Sequence, residues 1–192
     1  MTEIAGYLSG IFILLSFLPY IKGIFKHETK PERASWLIWS ILGGISFFSQ
    51  LAKGASDSLW LAGVQTFGDL FIFLLAIKYG IGGLLKRDIL ALIGAGLSLV
   101  LWYFTKEPIV ALFIVIFIDA LGVVLTIIKT RENPSTEPMS AWILTGLAGF
   151  FAMLAVGKLN FVLLSFPTYI LLASLALILT IKLGAARNKT PK

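Results

Sequence analysis

Cysteine is absent from this chain of 192 residues, histidine occurs once, and charged side chains make up only 14%. Without cysteine there are no disulfides, no thiolate nucleophile and no thiolate-bound metal. The single histidine, His27, stands in a polar connection, with no nucleophile–base pair and no metal-ligand spacing around it. An enzyme is therefore not expected, and no catalytic residue, metal or cofactor is assigned. Soluble domains carry about 25% charged residues, and no polar block of domain size is present to form one. A basic stripe interleaved with aromatics is also missing, so nucleic acid is not an expected partner despite the net charge of +6.

Polar residues do not alternate with apolar ones either, which excludes the strands of a membrane barrel. What remains is apolar: 58% of the chain is hydrophobic, in recurrent runs of 17 residues or more. Runs of that length cross a hydrocarbon core of about 30 Å as helices. Spans are expected near 4–25, 36–52, 58–78, 88–104, 109–129, 140–156 and 160–183. Met1, Thr2 and Glu3 precede the first without a positive charge, so that span reads as a retained helix.

Lysine and arginine are scarce on one side of these spans. Lys53, Lys106 and Lys158 occupy one set of connections. The other thirteen run from Lys22, Lys26, Lys30 and Arg33 through Lys78, Lys86, Arg87, Lys129 and Arg131 to Lys182, Arg187, Lys189 and Lys192. The positive-inside rule then predicts a multi-pass protein of the cell membrane, N-terminus outside and C-terminus cytoplasmic. The lipid bilayer is thus the first expected partner, and its anionic lipids suit the basic inner face.

The spans repeat. Glu32, Ser35, Ile38, Leu42, Gly44 and Lys53 match Glu137, Ser140, Ile143, Leu147, Gly149 and Lys158 at an offset of 105. Ile77, Lys78 and Gly80 match Ile181, Lys182 and Gly184 at an offset of 104. Three spans leave the chain on the wrong face to begin the same unit again, and one extra crossing restores it. The fold class predicted is all-α integral membrane: seven transmembrane helices as two parallel triple-helix bundles joined by an inverting linker helix. The expected divisions are 1–80, the linker 81–107, and 108–192 with a short cytoplasmic tail.

This layout resembles the SWEET and PQ-loop transporter superfamily, whose plan the nicotinamide-riboside transporters and KDEL receptors share. Where a PQ-loop protein has Pro-Gln, this chain has Pro19 and Tyr20, and the matching Val124 and Leu125 carry no proline. The resemblance implies the 3-1-3 fold and alternating access, and it does not imply sugar as substrate. Of the prolines typical of SWEETs only Pro19 falls in a corresponding helix, with Pro167 elsewhere, and these two are the expected hinges.

Two acids interrupt the apolar runs, Asp69 in the third and Asp119 in the fifth. Both fall about 15 Å from the outer end of their span at 1.5 Å per residue, close to the midplane. A carboxylate there is costly unless paired, hydrated or protonated, and such residues line cavities. Gln65 lies one turn from Asp69 on the same face. Thr168 and Tyr169 supply hydroxyls beside Pro167 in the last span, and Trp39 sits one turn deeper than Trp36. Trp36, Trp39 and Trp142 read otherwise as a headgroup belt at the inner interface, with Trp60 and Trp102 at the outer one. The expected site is therefore Asp69, Asp119, Gln65, Tyr169, Thr168 and Trp39. The expected partner is a small polar solute, cationic, zwitterionic or neutral, with protons as the candidate coupling ion. A ligand-binding receptor or sorting protein on the same fold, and a channel, are the alternatives. A homo-oligomer is left open.

Overall fold

The computed structural model describes residues 2–52, 59–104, 108–157, 159 and 161–187. Lys53, Lys106, Lys158, Lys189 and Lys192, which entered the charge count, lie outside the described residues. The side chains of Trp60 and Trp102 lie outside them too. Among the described residues the chain is all-helical, with no strand. Its helices are α1 (Thr2–Phe25), α2 (Arg33–Ala52), α3 (Leu59–Tyr79), α4 (Lys86–Phe104), α5 (Pro108–Glu132), α6 (Met139–Val156) and α7 (Phe161–Arg187), with a 3-10 turn at Pro134–Thr136. Four of them, α1, α5, α6 and α7, are long and apolar enough to cross a membrane. Large apolar side chains stand outward along the helices, among them Leu14, Leu97, Phe117 and Leu172. That surface suits lipid as the solvent.

Helix ends follow from polar residues placed at the breaks. At the end of α1, His27 takes φ 60, and the amides of Glu28 and Thr29 both return to the Gly23 carbonyl at 3.0 Å. A left-handed residue just past a helix satisfies its last carbonyls in this way. The lone histidine serves as a helix terminator. α6 stops at Gly157, also left-handed at φ 67. Pro19 and Pro167 lie inside α1 and α7, which continue to Phe25 and Arg187. Each proline removes one helix hydrogen bond without ending its helix.

The chain forms two compact units. One joins Met1–Thr29 to Thr126–Lys192 and holds α1, the end of α5, α6 and α7. Within it α1 packs along α6, with Phe12 stacked on Phe151 at 5.4 Å and Ser9 Oγ donating to the Ala148 carbonyl at 2.9 Å. α6 packs against α7 where glycine lets the backbones meet. A Cβ on Gly149 would stand 2.9 Å from the Leu171 nitrogen and 3.1 Å from the Pro167 carbonyl. Neither atom belongs to a side chain that could swing aside. Gly149→Ala is expected to cost about 1–3 kcal/mol, the usual range for forced overpacking. Thermal unfolding in detergent measures it, and an unchanged midpoint would mean that α6 and α7 part freely.

The other unit, Lys30–Leu125, holds α2, α3, α4 and the first part of α5. α2 lies on α3, and α4 runs beside α2. Here Gly43 admits Thr66: a Cβ at Gly43 would stand 2.9 Å from Thr66 Oγ1 and 3.2 Å from its Cα. Where α3 leads into α4, the Gly83 and Leu85 amides donate to Asp88 Oδ2 at 2.6 and 3.0 Å. This is the way an acid in the first turn holds a helix start.

Candidate functional site

Asp69 is 8% exposed, in the middle of α3, and Asp119 is half-buried in α5. The two carboxylates are close enough to act on each other electrostatically. No lysine or arginine occurs in α3 between Leu59 and Ile77, nor in α5 before Lys129. Trp39 ties α2 to the same level of α5. Its Nε1 donates to the Asp119 carbonyl at 3.3 Å, and a Cβ on Gly122 would come within 2.7 Å of that nitrogen. Trp36 sets its ring edge-on to Trp39 at 5.0 Å. Both tryptophans are buried, as is Trp142. The headgroup belt expected at the inner side is replaced, at these three positions, by packing inside the protein.

Gln65 is half-buried on α3, four residues before Asp69 and so on its face. Thr66 is the residue that sequence reading missed. It is 9% exposed, and its Oγ1 is buried with no hydrogen-bond partner among the described residues. Its spacing of three from Asp69 was the available signal. Asp69, Asp119 and Trp39 therefore come together within one unit. Thr168 and Tyr169 are half-buried on α7 in the other unit, where the Tyr169 ring tilts against Phe166 at 6.1 Å.

A second polar cluster lies in the unit of α1, α6 and α7. Glu137 is buried and accepts from Tyr20 Oη at 2.7 Å through Oε1, and from Trp142 Nε1 at 2.7 Å through Oε2. Lys129 Nζ, itself 1% exposed, pairs with the same Oε1. Tyr20 thereby links α1 to the start of α6. Charge counting had treated Lys129 as a surface cation; instead it neutralises a buried acid. Among the described residues, no three His, Cys, Asp or Glu side chains converge as a metal site would require.

The chain matches no protein-family model, no curated protein and no solved structure.

Proposed function

We propose that this chain is a multi-pass membrane transporter for a small polar solute, working by alternating access between two triple-helix halves, 1–80 and 108–192, with α4 as the inverting linker. The observation that carries the reading is the Asp69–Asp119 pair within apolar helices, beside a buried threonine hydroxyl with no hydrogen-bond partner among the described residues. The two carboxylates have no lysine or arginine within eight residues of them along their own helices. They suit a cationic or zwitterionic solute, or a neutral one carried with a proton. An enzymatic role has no constellation to support it. In the proposed layout α1 belongs to the first half and α6 to the second. Their contact at Ser9, Phe12, Ala148 and Phe151 then lies between the halves, and alternating access opens and closes it. The resemblance to SWEET and PQ-loop proteins supports the same plan.

Uptake by proteoliposomes tests the function. Purified protein should accumulate one member of a panel of radiolabelled amines, amino acids and polyols, faster under an inward proton gradient. Saturable binding without accumulation would instead identify a receptor, and single-channel currents would identify a pore. Orientation has its own test, because the chain has no native cysteine. Lys30→Cys should resist an impermeant thiol reagent in intact cells and react once the membrane is opened. Labelling from outside would reverse the proposed topology.

A further inference from the structure

We propose that Glu32 is a proton-binding switch at the start of α2: protonated, it joins α2 to α5 through Ser35; ionised, it releases that joint. The site is separate from the intramembrane acids and stands whether or not the chain transports anything.

Glu32 and Asp88 are 2% and 1% exposed and meet at one backbone point. A Cβ on Gly82 would collide with Glu32 Oε1 and lie 3.4 Å from Asp88 Oδ2. Gly82 adopts φ 72, so the loop reaches this position only with glycine. Pro31 and Arg33 are stitched to Ile81 by backbone hydrogen bonds of 2.9 and 3.0 Å, which hold the two loops together. Glu32 Oε1 is buried with no hydrogen-bond partner among the described residues, whereas Oε2 accepts from the Ser35 amide at 2.6 Å.

Hydrogen counting at Ser35 points to the protonated acid. Its Oγ lies 2.8 Å from Glu32 Oε2 and 2.7 Å from the Gly122 carbonyl of α5. A hydroxyl has one hydrogen to give, and a carbonyl has none. Both contacts form together when the Glu32 O–H donates to Ser35 Oγ, which donates its own hydrogen to Gly122. The unpartnered Oε1 is then a neutral carbonyl oxygen, far cheaper to bury bare than half a carboxylate. Ionised Glu32 is the stronger acceptor and draws the Ser35 hydrogen to itself, away from Gly122.

The charges around the group leave this choice to the proton. Asp88, from α4, is of like sign. The Arg33 guanidinium is occupied by the carbonyls of Ala76, Gly82 and Ile77 at 3.0, 3.0 and 3.4 Å. Arg87 Nε stands 3.7 Å from Asp88 Oδ1, and α5 contributes the Gly122 carbonyl. Lys30, Lys78 and Lys86 in these segments are exposed. The counterpart acid of the repeat, Glu137, meets Lys129; at the same offset Glu32 would meet Ile24, which cannot neutralise it. Burial pushes the Glu32 carboxyl above its ordinary value, with the Asp88 charge adding to the rise and hydrogen bonds from Ser35 and the Ala34 backbone opposing it. A carboxyl raised on folding binds its proton more tightly in the folded state. Its contribution is complete below the ordinary carboxylate pKa and is lost as pH rises through the raised value.

Hydrogen–deuterium exchange on the full chain in nanodiscs, corrected for intrinsic rates across about pH 5 to 8, reads the switch. Peptides spanning 31–36, 81–88 and 119–125 should be protected at acid pH and open as pH rises. In Glu32→Gln that pH dependence should be lost, together with a carboxylic-acid C=O band in the infrared spectrum of wild type. Asp88→Asn keeps Glu32 and both amide acceptor contacts, so its transition should move to lower pH; it carries the test if Glu32→Gln fails to fold. Flat wild-type exchange, an unchanged transition in Glu32→Gln, or an unshifted one in Asp88→Asn would each overturn the proposal.

Discussion

Lys129→Met should lower the unfolding free energy by about 3–5 kcal/mol, and Glu137→Gln by a similar amount. The two side chains are 1% and 0% exposed, so removing either leaves the other as a charge buried without its counter-ion. In Lys129→Met, Glu137 retains Tyr20 Oη and Trp142 Nε1, two neutral donors that soften the loss without cancelling the charge. In Glu137→Gln the ammonium of Lys129 loses the carboxylate it pairs with here. The double variant Lys129→Met, Glu137→Gln buries no charge and should recover most of the loss, because a buried pair is worth little more than a neutral packing of the same volume. Tyr20→Phe deletes one hydrogen bond to the carboxylate, and about 1 kcal/mol is the proportionate cost. Denaturant unfolding in mixed micelles gives all four values on one scale. Single variants each costing under about 1 kcal/mol, with no recovery in the double, would show that water reaches the pair.

Helices and their order were legible because polar residues are so few that each marks a boundary. The ends were less legible, for reasons visible at particular residues. A span expected from Trp36 begins in the structure at Arg33, because Glu32 and Ser35 supply the acceptor and hydroxyl that start α2. A span expected to stop at Lys129 continues to Glu132, because Glu137 neutralises that lysine inside the protein. Sequence alone treats a lysine as an aqueous charge unless its partner is known, and the partner is set by the turn at Pro134–Thr136.

Asp69 and Asp119 were legible as lone acids in apolar runs. Thr66 was not, since a helical threonine ordinarily returns its hydroxyl to its own helix, as Thr130 does to the Thr126 carbonyl at 2.6 Å. Trp142 was misread as a headgroup residue for a related reason, and the same ambiguity applied to Trp39. An indole has one donor, and whether it faces headgroups or a buried acceptor depends on the neighbouring helix. Here the acceptors are the Asp119 carbonyl and the Glu137 carboxylate.

Asp69→Asn should leave the protein folded and remove the proton dependence of uptake. Asparagine keeps the size of the side chain and a carbonyl oxygen at the same place, so the packing of α3 on α2 at Gly43 and Thr66 is retained. It removes the group that takes up a proton or faces a cation, and with it the repulsion exerted on Asp119. A hydrogen bond to a charged partner is worth about 1.5–3 kcal/mol. Affinity for a cationic solute should therefore fall about 10- to 150-fold at 1.4 kcal/mol per decade. For a neutral solute carried with a proton, the rate should instead become flat across about pH 5 to 8, because asparagine has no proton to exchange in that range. Asp119→Asn should show the same direction with a smaller loss, since Asp119 is half-buried and Asp69 is 8% exposed. Uptake by both variants at the wild-type rate and pH profile would reduce the pair to a structural role and leave the proposed transport without its site.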